Sequence, residues 1–198
     1  MRRPLKHFDP RRPDFEPYGL TCEVWEARLT PRADRHNEIE INLLDGGTLT
    51  YLLGGRRATV RAGRMSAFWA AMPHQIVAFH AVPSYFVMTV PLAWILGWGL
   101  PKRLVEPLLG GQVVEEPGPA RAELDRALFA QWHRDLSRSP ERRRETVLLE
   151  LKARLLRLAE RAVVSRGRER DARALGATGR QAPALVERMA HVIATRYD

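Results

Sequence analysis

Residues 34–75 contain four short runs in which apolar and polar positions alternate, and each run ends at a turn signal. In the first run, HNEIEINLL at 36–44, polar side chains occupy positions 36, 38, 40 and 42, and isoleucine or leucine occupies 39, 41 and 43. Alternation with a period of two is typical of a strand whose two faces meet different surroundings. The pattern predicts that His36, Glu38 and Glu40 project from the same face of one strand.

Glycine-rich turns separate this run from its neighbours. Asp45-Gly46-Gly47 and Gly54-Gly55 supply the positive φ angles that tight hairpins need. The predicted strands lie at 21–30, 36–44, 48–53, 56–62, 65–72, 75–82 and 84–92, with a short edge strand at 111–117. Short strands at this spacing indicate a β-sandwich or a small barrel.

After Pro117-Gly118-Pro119 the apolar spacing changes to three and four residues, which predicts helices. The apolar face of the first helix holds Leu124, Leu128, Trp132 and Leu136. Ser139-Pro140 provides a cap and a first-turn proline for the second helix. The seam of the second helix consists of Leu148, Leu151, Leu155 and Leu158. An antiparallel helix pair that covers the strands and a dimerisation surface both explain such a seam, and the two are compatible.

Composition places the chain among globular proteins. Its 198 residues are 45% apolar and 28% charged, enough for one domain with a good core and an appendage. A lone cysteine, Cys22, excludes an internal disulfide and fits a reducing compartment, where it acts as a small apolar side chain. No segment has the pattern of a signal peptide or the length of a membrane span, so we expect a cytoplasmic chain without a membrane partner.

The formal net charge of +9 favours a polyanionic partner. The arginines concentrate in the first dozen residues and in 121–180, where glutamates are interleaved with them. A solvated helix surface of mixed charge also explains the second region. Direct contact with nucleic acid and a solvated surface both stay open.

The polar face of 36–44 carries the candidate chemistry. His36, Glu40 and His74 could hold a divalent metal, because imidazole and carboxylate suit zinc, iron, manganese or nickel. The alternative is a hydrogen-bonding lining for a small molecule, with no cofactor. The candidate ligand-binding residues are His36, Glu38, Glu40, Tyr51, Trp69 and His74. Because Phe68 and Trp69 are adjacent on one strand, only one of them can face inward.

Two ordered motifs resemble the AraC type of transcription regulator, in particular its melibiose-regulator-like branch. The first comprises His36, Glu38, Ile39, Glu40, Asn42, Gly47, Leu49, Thr50 and Tyr51, and the second comprises Gly63, Arg64, Phe68, Trp69, Ala70, Pro73, His74 and Gln75. The strand with histidine and glutamate also resembles the cupin fold, although Asp34 stands where a metal cupin usually carries its first histidine. The resemblance implies a mainly β fold, a cupin-like jelly-roll barrel followed by an antiparallel helix pair.

The resemblance further implies the effector-binding and dimerisation half of a regulator rather than an enzyme. The implied units are an arm at 1–20, a sensor barrel at 21–118, dimerisation helices at 119–165 with the leucine seam, a linker at 166–183 and the start of a DNA-binding domain at 184–198. The implied partners are a small-molecule effector, a second copy of the chain, and DNA only through a helix-turn-helix domain that this sequence lacks. The alternative is a metal-dependent cupin enzyme, an isomerase or dioxygenase, with His36, Glu40 and His74 as ligands.

Overall fold

The computed structural model describes residues 5–165 and 168–170. The first eight strands in chain order are β1 (Thr21–Glu26), β2 (Glu38–Leu44), β3 (Thr48–Leu53), β4 (Arg56–Arg61), β5 (Ser66–Trp69), β6 (His74–His80), β7 (Ser84–Pro91) and β8 (Val113–Glu115). The helices are α1 (Leu92–Gly97), α2 (Lys102–Leu109), α3 (Ala122–Arg138) and α4 (Pro140–Arg161). Two further strands, β9 (Val163–Ser165) and β10 (Arg168–Arg170), follow the last helix.

The strands form two antiparallel sheets. The larger sheet has the order β1-β7-β2-β5-β8-β9, and the smaller sheet has the order β10-β4-β3-β6. Within the described residues no strand ladder joins the two sheets, so they do not form a closed barrel. The predicted mainly β fold followed by helices is confirmed, and the cupin-like jelly-roll stays a prediction. The chain passes from one sheet to the other between β2 and β3, where a Cβ on Gly47 would lie 1.9 Å from the carbonyl oxygen of His80. That turn therefore requires glycine.

Strand β2 occupies the middle of the larger sheet, between β7 and β5, and all seven of its residues are buried. Ile39, Ile41 and Leu43 face the helices, where they join an apolar core with α3 and α4. The alternate residues Glu38 and Glu40 face the other way, into the space between the sheets, as the alternation predicts. A second apolar core, built from residues such as Leu49, Phe68 and Val87, fills the rest of that space.

Two details of the predicted elements differ. Strand β8 is an inner strand, because it pairs with β5 on one side and with β9 on the other. In α3 the buried face is centred on Asp125, Phe129 and Trp132, while Leu124 is 47% exposed. The helix is therefore turned relative to the predicted seam so that an aspartate is fully buried.

The leucine seam of α4 lies inside the chain itself. Leu151, Leu155 and Leu158 are at most 1% exposed and pack in the core beneath the larger sheet, and Leu148 is partly buried. As residues of a surface for a second copy, these three leucines are therefore wrongly predicted. None of the described helices has the length and apolar character needed to cross a membrane.

Of the predicted linker at 166–183, only residues 168–170 belong to the described part of the chain, and they form β10 beside β4. The predicted start of a DNA-binding domain at 184–198 lies outside the described residues.

A buried ion-pair network connects the helix pair to the larger sheet. Nε and Nη2 of Arg154 donate to the two carboxylate oxygens of Asp125 at 2.6 and 2.9 Å, and Nη2 also donates to Glu116 at 2.6 Å. The three residues are 1%, 0% and 2% exposed. They belong to α4, to α3 and to the segment after β8, so one guanidinium holds three elements together.

Replacing this guanidinium should strongly destabilise the fold. Arg154→Met leaves the carboxylates of Asp125 and Glu116 buried without a cation, which costs about 3–5 kcal/mol when one partner of a buried pair is removed. Urea unfolding followed by circular dichroism measures the loss. Arg157→Met, at an exposed position on the same helix, is the matched control and should change the free energy of unfolding by less than about 0.5 kcal/mol. Equal losses in the two variants would contradict the assignment.

Candidate functional site

A cavity of about 230 Å³ lies between the two sheets, at the end nearest the amino terminus. Its walls come from the inner faces of β1, β3, β6 and β7, from the 28–34 loop and from the amino-terminal arm, here residues 5–20. The lining residues that carry polar or aromatic groups include His7, Phe8, Tyr18, Trp25, Asp34, Glu40, Tyr51, His74, Tyr85 and Thr89. The space is large enough for a small molecule and not for a macromolecule.

Glu40 is the centre of the polar groups at this cavity. Its Oε1 accepts hydrogen bonds from Asn42 Nδ2 at 3.1 Å and from the Tyr51 hydroxyl at 3.3 Å. Its Oε2 lies 3.5 Å from His36 Nε2 and 3.6 Å from His74 Nε2. Burial alone would raise the pKa of Glu40, but its contact with the His36 cation, the nearby His74 ring and the hydrogen bond from Asn42 lower it overall. Glu40 is therefore a buried carboxylate anion.

His36 is held as a cation between two carboxylates. Its Nδ1 lies 2.9 Å from Glu38 Oε2, and the residue is 1% exposed. Burial disfavours the charged imidazole, but the hydrogen bond to Glu38 and the carboxylate of Glu40, 3.5 Å from Nε2, outweigh burial and raise the pKa of His36 to about 9. At neutral pH the ring is therefore a cation that donates from Nδ1 to Glu38 and forms an ion pair with Glu40.

His74 has the opposite character. Its Nδ1 donates to the carbonyl oxygen of Met72 at 3.1 Å, which directs the Nε2 lone pair towards the cavity when the ring is neutral. Burial lowers the pKa of His74, and the nearby His36 cation lowers it further, against the opposing charge of Glu40. The two imidazoles, whose centroids are 5.2 Å apart, therefore differ in charge.

The amino-terminal arm closes the cavity by bonding to the same buried carboxylates. The Tyr18 hydroxyl donates to Asp34 Oδ2 at 3.0 Å, and the Gly19 amide donates to Glu38 Oε1 at 3.0 Å. The arm also makes a parallel bridge from Lys6 to Trp25 at the edge of β1. Its closed position is thus fixed by hydrogen bonds to site residues as well as by strand pairing.

Arginines fasten the middle of the arm. Arg32, in the loop after β1, donates to the carbonyl oxygens of Pro10 and Arg12 and pairs with Asp14 at 3.2 Å. The Arg12 guanidinium lies 3.7 Å from the centre of the Tyr18 ring. The ion pair of Arg32 is partly exposed, whereas the Arg12 side chain is only 9% exposed and also lies 3.8 Å from the Asp34 carboxylate.

Five of the six predicted ligand-binding residues converge. Glu40, Tyr51 and His74 line the cavity, and His36 and Glu38 lie directly behind them. Trp69 does not: it belongs to the helix-side core, where its Nε1 donates to Asn37 Oδ1 at 3.2 Å. Its neighbour Phe68 faces the inside instead, with its ring centroid 5.3 Å from that of His74.

Sequence analysis missed the residues that complete the walls. Tyr85, Val87 and Thr89 line the cavity from alternate positions of β7, and their period of two was a usable signal. Burial raises the pKa of Tyr85, which keeps its phenol protonated as a hydrogen-bonding group. Tyr18 and Trp25 come from the arm and the first strand, where no comparable pattern marks them.

The cavity also contains a donor set that fits a divalent metal. One ligand atom from each of Asp34, His36 and His74 lies within 4.8 Å of the others. The predicted set of His36, Glu40 and His74 shares both histidines with it. Two imidazoles and a carboxylate suit a transition metal, but the His36 cation would first have to lose its proton. The three side chains are donors of the type that a divalent metal prefers. Binding of a metal would break the contacts of His36 with Glu38 and Glu40.

The raised pKa of His36 predicts a pH-dependent stability. Because the folded pKa of about 9 exceeds the ordinary value of 6.5, the stabilisation is complete below pH 6.5 and is lost as the pH rises through 9. The free energy of unfolding of the wild-type protein should therefore fall by about 3 kcal/mol between pH 6.5 and pH 9, and this fall should be absent in His36→Gln. Urea unfolding at several pH values measures it. His80→Gln, at an exposed position at the end of β6, is the control and should retain the wild-type slope. A wild-type slope in His36→Gln would disprove the charged state.

The chain is similar in sequence to known transcription regulators over part of its length. No family model matches the chain. The melibiose operon regulatory proteins of Escherichia coli strains K12 and O6:H1 are each 24% identical to it over 140 residues, which is 71% of this chain and 46% of theirs. The chain thus spans about half the length of these curated relatives. The crystal structure of the AraC-like transcriptional activator CuxR aligns with 86% of this chain and 58% of its own, with a TM-score of 0.47 and 12% identity. The resemblance of this chain to AraC-type regulators of the melibiose branch is therefore confirmed by a match over 71% of the chain.

Proposed function

We propose that this chain is the effector-sensing part of a transcription regulator. The observation that carries the proposal is a cavity, partly covered by the arm, in which the arm and the walls share the same buried carboxylates. Tyr18 and Gly19 of the arm donate to Asp34 and Glu38, the neighbours of Glu40 in the site. The similarity to melibiose operon regulatory proteins supports the regulatory role.

A ligand in this cavity competes with the arm for hydrogen-bond acceptors. A hydroxyl that donates to Asp34 takes the place of the Tyr18 hydroxyl, which lies 3.0 Å from that carboxylate. Losing this bond weakens the closed arm, whereas a ligand that bridges Tyr18 and Glu40 strengthens it. Either way the free energy of ligand binding is coupled to the position of the arm, which is the minimal requirement for a sensor.

The walls favour a small polyhydroxylated ligand such as a sugar. Asp34 and Glu40 accept hydrogen bonds from hydroxyl groups, and the Tyr51 and Tyr85 phenols and Thr89 provide hydroxyls in return. The rings of Phe8, Tyr18 and Trp25 supply apolar surfaces against which a sugar ring packs. A regulator of this type would have no enzymatic activity, and a cupin-like ancestry would account for the cavity between the sheets.

Self-association through α4 is the second part of the proposal, with different residues from those predicted. Leu149 is 63% exposed and Leu156 is 39% exposed. They are seven residues apart, so they lie on the same outer face of the helix, opposite the buried leucines. In a dimer this face would bring two sensors together and would set the spacing of DNA-binding domains beyond them.

A metal-dependent enzyme is the competing function, favoured by the donor set of Asp34, His36 and His74. The protonated His36 argues against it, because both of its nitrogens already face carboxylates. Stoichiometric metal at neutral pH that is lost in His36→Ala, together with turnover of a substrate, would decide for the enzyme.

Ligand binding should depend on the cavity face of the sheets and not on the helix face. Calorimetric titration with a panel of mono- and disaccharides that includes melibiose should identify a ligand. Glu40→Gln and Tyr51→Phe should then each weaken it about tenfold or more, the effect of losing a hydrogen bond to a charged group. Trp69→Phe, on the opposite face of β5, is the control and should retain the affinity. Binding that survives Glu40→Gln but fails in Trp69→Phe would contradict the proposed site.

The outer face of α4 should control the oligomeric state. Leu149→Lys with Leu156→Lys should convert a dimer to a monomer in light scattering, with little change in melting temperature because both side chains are exposed. Leu124→Lys, which changes an exposed leucine on α3, should leave the dimer intact. Leu151→Ala should instead lower the free energy of unfolding by about 2–5 kcal/mol, since it opens a cavity in the core. A dimer that persists in the double variant would place the interface elsewhere.

A further inference from the structure

The outer face of the smaller sheet is basic and carries no carboxylate along three of its four strands. Strands β3, β4 and β6 contain no aspartate or glutamate. On β4 the inward residues are Ala58 and Val60, which are 5% and 0% exposed. The residues between and beside them, Arg57, Thr59 and Arg61, therefore project outward, and both arginines are exposed.

The pairing of β4 with β3, and of β3 with β6, continues this outer face across the sheet. Arg61 is paired with Thr48, which is paired in turn with His80, and the next outward row joins Thr59 to Thr50. The hydroxyls of Thr50 and Thr59 lie 2.9 Å apart, between the two arginine positions. Four residues along a strand separate those arginines by about 13 Å. The outward positions thus include guanidinium and hydroxyl groups, which contact phosphates in protein–DNA complexes, beside His80, Ala78 and Leu52.

Arg61 is held from one side while it faces solvent on the other. Its Nη1 donates to the Thr59 carbonyl oxygen at 3.4 Å and lies 4.0 Å from a carboxylate oxygen of Glu115. The Arg61 side chain is 51% exposed, whereas Glu115 is buried. The carboxylate restrains the guanidinium without occupying the outer surface.

Strand β10 pairs with β4 at the edge of the same sheet. In the antiparallel register, Arg168 is the partner of Arg57 and Arg170 is the partner of Arg56, with Glu169 between them. The exposed arginines of β4, on a face whose strands β3, β4 and β6 contain no acidic residue, are complementary in charge to an anionic partner.

We propose that the outer face of the smaller sheet binds the phosphate backbone of duplex DNA without reading its sequence. The choice of duplex DNA among polyanions rests on the proposed function, since a regulator works beside its operator. The sugar-binding cavity lies on the opposite, inner face of this sheet, so the two sites act independently. Contact of the sensor with flanking DNA adds affinity and fixes which side of the sensor faces the duplex.

Salt-dependent binding by the full 198-residue chain tests this proposal. Fluorescence anisotropy with a labelled duplex of arbitrary sequence gives the slope of log affinity against log salt concentration. Arg57→Gln with Arg61→Gln should reduce the magnitude of that slope by about one per arginine lost. Arg142→Gln with Arg143→Gln removes the same charge from exposed positions at the start of α4 and should leave the slope unchanged.

Further measurements keep the outcome interpretable. Arg57→Lys with Arg61→Lys should retain the slope, because a lysine also neutralises a phosphate, and thermal melting shows whether the glutamine variant is folded. Equal loss in the β4 and α4 pairs would mean diffuse attraction and would overturn the proposal. Tighter binding to single-stranded RNA than to duplex DNA would overturn the choice of partner. Sugar titration of the glutamine variant is the separate check on the proposed function, because its failure concerns the cavity and not this face.

Discussion

Buried carboxylates on β2 are the constraint on which the site depends. Glu38 and Glu40 are 3% and 7% exposed, and an unpaired carboxylate in such a place costs several kcal/mol. His36, two residues before the strand, supplies the nearest positive charge, and the Gly19 amide of the arm supplies another donor. The charge of His36, the position of the arm and the shape of the cavity are therefore set by a single requirement, that each buried oxygen has a partner.

The helix side of the larger sheet meets the same constraint with a permanent cation. Arg154 serves Asp125 and Glu116 there, whereas the cavity side uses a histidine whose charge depends on pH. A guanidinium stays charged at every accessible pH, so the helix pair is held to the sheet whether or not the cavity changes. The apolar residues of β2 lie between the two networks. They separate the Arg154 network, whose charge does not change with pH, from the His36 network, whose charge does.

Sequence alternation located the site because β2 has contrasting residues on its two faces. It could not decide between Phe68 and Trp69, since both are aromatic and the answer depends on which residues of β5 oppose β2. Nor could the leucine spacing of α4 show what covers the seam, because an apolar face predicts burial and does not name the partner. Tyr18 joined the site through a hydrogen bond from an irregular segment, and irregular segments carry no period to detect.

Segments 163–165 and 168–170 are only two residues apart, yet they belong to different sheets. The chain leaving α4 thus pairs first with β8 of the larger sheet and then with β4 of the smaller sheet. Eight consecutive positions, 163–170, therefore begin in one sheet and end in the other, so the last described segment crosses between the two sheets.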